Sequence, residues 1–520
     1  MSMSLRGRLL AATLGVACVA SVAAPAGAET MADAIALAYQ NNPNLQAARA
    51  NQRVTDESYV QARAGWRPTL NLNTSATYTE NRSPLAARGA PVDRNGDGVP
   101  DPTVGIIEGN SARVGLSFSQ PIWTGGRTGA AVSAAHADIL QGRENLRRIE
   151  AQILTSVMQA YVDVRRDEEG LRIRRDNVAV LKRQLEESQA RFDVGEITRT
   201  DVAQSQARLA QSESALQSAQ AQLAISRATY AAVVGQNPGQ LEPEPSLAYL
   251  LPTDPDAAFE IAEKNNPGLR AQEFAAQASR ARLAGARAER LPNVSAQVSY
   301  GFNGPAIPEP PLDPLQRDLF TRGVTATVSG SVPLFAGGVI TSRVRQSIER
   351  NNADRIGIET QRRTVLQSVT QLWNQLVATR ANILSSDEQV SAARIAAEGT
   401  RQEQQVGLRT TIDVLNAEQE LRAAELSQIT ARRDEYVSAV NLLGAMGRLE
   451  ARNLIPTVPQ YDAKRNFRNL RVTWGWVPWE EPIGIIDSLL TPKVAEKLVE
   501  PTVGPGLTPP PAPVSAPSAK

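Results

Sequence analysis

Four short segments of the chain alternate apolar and polar residues, and each is uncharged along that alternation. Period-two alternation predicts β-strands with one apolar and one polar face. We expect strands at about 69–80, 112–123, 293–302 and 323–335. The alternating apolar positions are Leu70, Leu72, Ala76 and Tyr78; Val114, Leu116 and Phe118; Val294, Ala296, Val298, Tyr300 and Phe302; and Val324, Ala326 and Val328. Segments of about ten residues with this pattern are typical of outer-membrane barrel strands, although an ordinary half-buried sheet alternates in the same way.

The long proline-free stretches have a different period. Apolar residues recur every seven positions from Val132 to Phe192, with one four-residue step before Val157. The same frame recurs 212 residues later, between Val344 and Ala397. A heptad pattern predicts long helices that pack side by side. We expect helices at about 30–65, 127–192, 200–234, 339–404 and 411–446.

The chain contains an internal repeat. Asn41-Asn42-Pro43 recurs as Asn265-Asn266-Pro267, an offset of 224, and Gly125-Gly126 recurs as Gly337-Gly338, an offset of 212. The difference of 12 residues falls between Pro68 and Pro121 in the first copy and between Pro292 and Pro333 in the second, where we expect long loops between strands. The predicted organisation is a signal peptide at 1–28, a first structural repeat at 29–235, an equatorial linker at 236–255, a second structural repeat at 256–447, and a C-terminal equatorial segment with a Pro-rich disordered tail at 448–520.

The first residues predict export from the cytoplasm. Arg6 and Arg8 precede an apolar stretch, and Ala26-Gly27-Ala28 is a small-residue cleavage site. Cys18 lies inside the apolar stretch, but Gly15 stands where a lipoprotein signal needs a large aliphatic residue. We therefore expect no lipid anchor, and a mature chain without cysteine.

Composition excludes several functional classes. The net charge of +1 gives no reason to expect nucleic acid binding. His136 is the only histidine, which argues against histidine-based catalysis and His-cluster metal sites. The chain has no phosphate-binding Gly-Lys loop and no recurring nucleophile–base pair, so we expect no enzyme activity and an energy source in a partner protein.

One outer loop, DRNGDGVPD, resembles a calcium-binding loop. Acidic and amide residues occupy positions 1, 3, 5 and 9, Gly98 occupies position 6, and Val104 replaces the glutamate expected at position 12. The same residues are also common in ordinary turns. This structural calcium site is the only cofactor expected, and its candidate ligands are Asp93, Asn95, Asp97 and Asp101.

Four strands cannot close a barrel, since the smallest common transmembrane barrels have about eight. An open sheet edge in lipid leaves backbone groups without hydrogen-bond partners. If these strands span a membrane, several copies must therefore combine, and three copies would supply 4 × 3 = 12 strands.

The coupled motifs resemble the TolC family of outer-membrane exit ducts over about 30–449. The resemblance rests on the two Asn-Asn-Pro phrases, the proline-ended strands, the turns Trp123–Gly126 and Phe335–Gly338, and the two phrases that contain Gly195 and Gly407. It implies a mixed α/β membrane protein: a homotrimer with a 12-stranded outer-membrane β-barrel, four strands per chain, continuing into a long periplasmic α-helical barrel. It also implies a Gram-negative outer-membrane location and partnership with a periplasmic adaptor and an inner-membrane pump.

The resemblance assigns roles to both Gly-containing phrases, which we call the two tips. The expected adaptor-docking residues are Val194, Gly195, Glu196, Ile197 and Thr198 in tip one, and Val406, Gly407, Leu408, Arg409 and Thr410 in tip two. The expected periplasmic gate residues are Thr200, Asp201, Gln404, Arg409, Asp413 and Asn416. Three positions depart from the family: Gln404 replaces a tyrosine, Asn416 an acidic residue, and Glu196 an apolar residue. Independently of the resemblance, the glycines could serve only as turn residues, and the acidic residues only as helix-start residues.

The expected function is passive conduction of substrate to the outside. Within that function we expect type I protein secretion with an ABC transporter as the pump, while small-molecule efflux would use the same duct. A non-conducting coiled-coil envelope spacer is the alternative from a different class.

Overall fold

The computed structural model describes residues 29–84, 104–306, 320–455, 458–470, 473 and 475–495. The predicted signal peptide, the candidate calcium ligands and the Pro-rich tail lie outside the described residues. Within the described helices, none is both long enough and apolar enough to cross a bilayer.

The contacts divide the chain into two compact units. The first unit comprises residues up to Ala38, Val157–Ser246 and Ala393–Ile429. The second unit comprises Tyr39–Ser156, Leu247–Ala392 and the chain from Thr430 onward.

The described elements occur in similar order in both repeats. The helices are α1 (Met31–Asn41), α2 (Pro43–Arg63), α3 (Arg127–Asp193), α4 (Arg199–Val234), α5 (Pro255–Asn265), α6 (Pro267–Ala288), α7 (Val339–Gln405), α8 (Thr411–Ala445), α9 (Ala451–Leu454), α10 (Ala463–Asn469) and α11 (Glu480–Asp487). The strands are β1 (Thr69–Pro84), β2 (Val104–Trp123), β3 (Asn293–Gly304) and β4 (Thr321–Ser331).

The strands form one antiparallel sheet in the order β1-β2-β3-β4. Its register aligns Leu72, Leu116, Tyr300 and Val324 across the four strands. Since side chains alternate faces along a strand, the apolar residues of all four strands share one face. We call this surface the apolar sheet face.

The first two strands extend beyond the predicted bounds. β1 continues to Pro84 instead of 80, and β2 begins at Val104 instead of 112, because the two strands stay paired up to the Pro84–Val104 register position. The added residues do not continue the apolar–polar alternation, so periodicity alone did not indicate this extension.

The helix expected over 30–65 is divided into α1 and α2 at Asn42. The Asn42 side chain accepts hydrogen bonds from the backbone N–H groups of Asn44 (3.0 Å) and Leu45 (3.3 Å). Pro43 is the first residue of α2, where its lack of an N–H group has no cost. The second Asn-Asn-Pro phrase divides α5 from α6 in the same way, so each phrase is an N-cap.

The heptad residues of α3 are mostly buried, including those on both sides of the four-residue step, Ile153 and Val157. Helix α7 buries Val344, Val365, Leu376, Val390 and Ala397 of its own heptad row, whereas Ile358, Leu372 and Ile383 are half-buried. In addition, it exposes other large apolar side chains along its length: Ile356, Val377, Leu384 and Ile395.

In the C-terminal segment, α11 packs against the end of β2. Its first acidic residue, Glu480, is fully buried between two arginines of the α2–β1 connection. The Glu480 carboxylate lies 2.7 Å from Arg63 Nε and 2.8 Å from Arg67 Nε. Because a buried carboxylate needs such partners, these contacts fix the start of α11.

The last residue of α11, Asp487, is inserted in the turn between β2 and α3. Its carboxylate accepts hydrogen bonds from the backbone N–H groups of Thr124 (2.7 Å), Gly126 (3.1 Å) and Gly129 (3.2 Å), and from Trp66 Nε1 (3.1 Å). Burial by itself would raise the pKa of Asp487, but these hydrogen bonds outweigh it and lower the pKa. The carboxylate therefore satisfies amides of the first turn of α3.

We expect Asp487→Ala to lower the free energy of unfolding by about 2–4 kcal/mol, since it leaves several buried donors without an acceptor. Thermal unfolding of the purified protein measures this change. Glu481→Ala is the matched control, because Glu481 is an exposed acidic residue of the same helix. Equal effects of the two substitutions would contradict the anchoring role of Asp487.

The same contact has a defined pH dependence. A lowered folded-state pKa stabilises the protein fully above the unfolded pKa of about 3.9, and this contribution is lost as the pH falls through the folded value. The wild-type protein should therefore lose its stability advantage over Asp487→Ala on acidification below about pH 4.

Candidate functional site

Both tips stop their first helix with the same backbone motif. In tip one, the Gly195 N–H donates to the Phe192 carbonyl and the Glu196 N–H donates to the Arg191 carbonyl, each at 2.9 Å. Gly195 has a φ of +82°, in the left-handed region that glycine adopts without steric cost. This pair of bonds is a Schellman motif.

Tip two repeats this motif 212 residues later. The Gly407 N–H donates to the Gln404 carbonyl and the Leu408 N–H to the Glu403 carbonyl, again at 2.9 Å, and Gly407 has a φ of +78°. A Cβ added at either tip glycine would meet no atom within 4 Å. Backbone conformation, rather than packing within the chain, therefore requires glycine at both positions.

The return helices begin with equivalent capping boxes. The Asp201 carboxylate accepts from the Thr198 N–H (2.9 Å) and hydroxyl (2.8 Å), and the Asp413 carboxylate accepts from the Thr410 N–H (3.1 Å) and hydroxyl (2.7 Å). The threonine hydroxyl hydrogen bond is the main cause that lowers the pKa of each aspartate. Both predicted gate aspartates therefore have a local structural role at a helix start.

The predicted docking residues form a solvent-facing surface at each tip. Val194, Val406 and Leu408 are large apolar side chains that are largely exposed, whereas Ile197 is half-buried. Exposed apolar groups at a rigid turn are suited to contact with another protein. Glu196 makes tip one more polar, and its carboxylate lies 3.1 Å from Arg191 Nε.

Arg409 pairs within its own tip. Its Nε donates to Glu403 Oε2 at 2.8 Å, and this hydrogen bond is the main cause that raises the pKa of Arg409. Sequence reasoning missed Glu403 as this partner. The sequence signal that could have indicated this pair is an acidic residue six positions before an arginine, with a Gly-containing turn between them.

Gln404 and Asn416, two further predicted gate residues, contact residues outside the predicted gate. Gln404 is buried and its Nε2 lies 3.4 Å from Thr411 Oγ1, while the Asn416 side-chain oxygen accepts from Arg208 Nη2 at 3.2 Å. Thr200 is exposed. Within the described part of a single chain, no two of the six gate residues hydrogen-bond each other, so the gate stays a prediction about contacts between copies.

An ion pair with a buried carboxylate supports tip two and was not predicted. Glu418 on α8 is almost completely buried and pairs with Arg401 on α7, and Arg422 lies 3.7 Å from the same carboxylate. These contacts join the two helices of the tip close to their connecting turn. Breaking this pair would leave the buried Glu418 carboxylate without a counter-charge. The pair therefore holds the two helices of the tip in one conformation.

The predicted calcium ligands lie between residues 85 and 103, outside the described residues, so calcium binding stays a prediction. In the described ranges, no cluster of three or more His, Cys, Asp or Glu side chains has the arrangement to hold a metal ion.

Comparison with known sequences gives consistent matches. Residues 34–236 and 259–448 match the family described as outer membrane efflux protein. The chain is 31% identical over 448 residues to the outer membrane efflux protein BepC of Brucella suis, covering 86% of this chain and 91% of BepC. It is 25% identical to the outer membrane protein TolC of Vibrio cholerae, covering 82% and 93% of the two chains. It is also 25% identical to the alkaline protease secretion protein AprF of Pseudomonas aeruginosa, covering 78% and 82%.

Comparison with solved structures shows the same fold. The outer-membrane channel OprN aligns with a TM-score of 0.67 at 20% identity, covering 80% of this chain and 89% of the other. The match supports a mostly helical protein with a small four-stranded sheet.

Proposed function

The chain belongs to the outer membrane efflux protein family, and from this membership we propose that it is the exit duct of a tripartite export system. The expected outer-membrane location and the resemblance to the TolC family are confirmed by the matches. The family consists of outer-membrane channels rather than enzymes. In the proposed function, substrate passes from an inner-membrane pump and a periplasmic adaptor to the outside, with the energy supplied by the pump.

The sheet supports a transmembrane role for the strands. One face carries apolar side chains in all four strands, and the opposite face carries polar ones, such as the Asn73 amide that donates to the Ser117 hydroxyl at 3.0 Å. A barrel wall between lipid and a water-filled interior needs this arrangement. We propose that the apolar sheet face contacts lipid.

The unpaired edges support assembly of several copies. β1 and β4 are the edge strands of the sheet, and their outer backbone groups need partners within a membrane. Three copies, each adding four strands, would complete the proposed 12-stranded barrel. The helices would then continue as the proposed periplasmic α-helical barrel.

The two strand–helix turns support the same assembly. A Cβ at Gly125 would lie 2.7 Å from Leu291 Cβ, in the segment that precedes β3. The equivalent Gly337 has no atom within 4 Å of such a Cβ, and the adjacent Leu334 and Phe335 are 94% and 90% exposed. In the internal repeat, the segment before β1 corresponds to the segment before β3, which covers Gly125. A neighbouring copy would bring its own segment before β1 to the second turn. We propose that this segment covers the second turn.

The repeat also predicts the register between copies. Ser117 pairs with Ser299 within the chain. The offsets transfer this pair to 117 + 212 = 329 and 299 − 224 = 75. Ser329 of one copy should therefore lie opposite Ser75 of the next, on the polar sheet face, with Cβ atoms about 5 Å apart.

We expect the double variant Ser75→Cys and Ser329→Cys to form disulfides that link three copies into a covalent trimer, since directly opposed residues have Cα atoms about 4.5–5.5 Å apart, within the range of a disulfide. Non-reducing electrophoresis measures the product. The control pair, Ser75→Cys with Val328→Cys, places the two thiols on opposite faces and should remain monomeric under the same conditions. A covalent dimer that never progresses to a trimer would contradict three-fold closure.

The tips support docking of a periplasmic adaptor. Both present exposed apolar side chains beside a rigid glycine turn, and the two turns share the same backbone geometry. Three chains would present six similar sites. An adaptor could bind at both tips of each chain, with Glu196 distinguishing the first site from the second.

The gate prediction is tested by single-channel conductance in planar bilayers. We expect the purified protein to conduct ions, and the double variant Asp201→Ser with Arg409→Ser to conduct at least about twofold more if these residues close the entrance electrostatically. Thr198→Ala is the matched control, because it breaks the same capping box while retaining the Asp201 charge. An equal increase in this control would assign the effect to helix fraying. Complete absence of conductance would favour the envelope spacer.

Two cargo classes have specific support. Protein export by a type I system is the proposed function of the duct, supported by the tip-two sequence and by the similarity to the secretion protein AprF. Small-molecule efflux is the second candidate, supported by the higher identity to the efflux protein BepC over more of the chain. The pump is an ABC transporter in the first proposal.

Deletion of the gene in its host distinguishes the two cargo classes. Protein export predicts loss of specific secreted proteins from the culture medium, whereas efflux predicts increased sensitivity to toxic small molecules. Complementation with the Asp487→Ala variant controls for reduced amounts of folded duct. Normal secretion together with increased drug sensitivity would contradict the type I proposal.

A further inference from the structure

We propose that α11 and the turn that follows it lie in the membrane interface, with their exposed apolar side chains inserted among lipids of the periplasmic leaflet. The inference rests on the proposal that the strands cross the outer membrane. It adds a second membrane contact, made by the C-terminal segment rather than by the sheet.

The orientation of α11 is the reverse of that expected for a helix on a water-facing surface. Two of its three acidic residues, Glu480 and Asp487, are 0% and 1% exposed, and the third, Glu481, is exposed and pairs with Arg63. The exposed side chains of α11 and the following turn are Ile485 (65%), Ile486 (57%), Leu489 (75%) and Leu490 (68%). A helix at a protein–water boundary normally turns its charged residues outward. An outward apolar face of this kind suits contact with lipid.

The helix cannot rotate to bury this apolar face. Glu480 is held between Arg63 and Arg67, and Asp487 accepts hydrogen bonds from the turn before α3. Rotation would remove both carboxylates from their buried partners and take the Glu480 carboxylate away from Arg63 and Arg67. The exposed face is therefore a fixed feature of the fold.

The position of α11 is continuous with the apolar sheet face. Trp479, the residue before the helix, donates from Nε1 to Gln120 Oε1 at 3.0 Å. Gln120 lies two residues after Phe118 in β2, so both side chains are on the same face of the sheet. Trp476 and Trp479 remain partly exposed there, and tryptophan is enriched at membrane–water interfaces. The apolar surface of the sheet therefore continues onto α11.

A neighbouring copy is poorly placed to cover this surface. Helix α11 contacts β2, which is paired on both sides by β1 and β3 of the same chain. Copies that join through the sheet would meet at the free edges of β1 and β4. Lipid is thus the occupant that the position of α11 favours.

Cationic side chains lie where lipid headgroups would be expected. Leu490 lines a cavity of about 650 Å³ together with Arg290 and Arg345, and no acidic residue lines that cavity. Lys493 is exposed three residues further along. Basic side chains beside an apolar surface attract the phosphates of anionic lipids. Apolar and basic side chains therefore lie side by side here, which suits a lipid with an anionic headgroup better than a purely apolar partner.

The test measures lipid contact at single labelled positions in the full-length protein, reconstituted in phospholipid vesicles. The mature chain provides a cysteine-free background, because Cys18, the only cysteine of the sequence, lies in the predicted signal peptide. The variants Ile486→Cys on α11, Val324→Cys on the apolar sheet face and Ile395→Cys on α7 each carry an environment-sensitive fluorophore. All three replaced side chains are exposed within the chain, so substitution removes little packing. Lipids with a spin label on the acyl chain act as the quencher.

We expect quenching at position 486 to approach that at 324 and to exceed that at 395 by at least about threefold. Quenching at 324 alone would overturn the inference while leaving the transmembrane strands in place. No quenching at either position would overturn both proposals. A shielded fluorophore at 486 that lipid does not quench would identify a second copy or another protein as the occupant, and would also overturn the inference.

Discussion

The Asp487 carboxylate joins parts of the chain that are distant in sequence. It accepts hydrogen bonds from the turn between β2 and α3 and from the indole of Trp66. Because these bonds satisfy amides at the start of α3, the sheet, the long helix and the C-terminal segment share one anchoring point. The same bonds fix the rotation of α11, which turns Glu480 and Asp487 inward and Ile485 and Ile486 outward. The proposed membrane contact therefore follows from an electrostatic requirement inside the protein.

This anchor makes the two repeats unequal. Each chain has two strand–helix turns but one C-terminal segment, so one turn receives Asp487 and the other receives no equivalent carboxylate from the described chain. Gly125 packs closely against the segment preceding β3, whereas Gly337 faces open space beside exposed Leu334 and Phe335. The unequal turns and the unpaired edges of β1 and β4 indicate the same surfaces for contact with another copy. Assembly would then cover the turn at Gly337 in the second repeat, as the fold of the single chain covers the turn at Gly125 in the first.

The tips follow local rules that the sequence displays directly. A glycine with positive φ ends each long helix, and a threonine–aspartate capping box begins each return helix. These local roles explain why Asp201 and Asp413 occur 212 residues apart, independently of any gate. A gate role requires contacts between copies, since Arg409, Gln404 and Asn416 each have a different neighbour within the chain.

The sequence by itself determined the elements whose physical cause is periodic or local. Alternation predicted the strands, heptads predicted the long helices, and the repeated Gly phrases predicted the turns between the long and return helices. The division of the helix expected over 30–65 at the Asn-Asn-Pro phrase was not predicted. The tertiary structure decided the features that join distant residues: the extended pairing of β1 with β2 and the position of α11. Arg67 and Glu480 are 413 positions apart. No local pattern predicts their contact, because long-range pairing depends on the packing of the whole unit and leaves no period in the sequence.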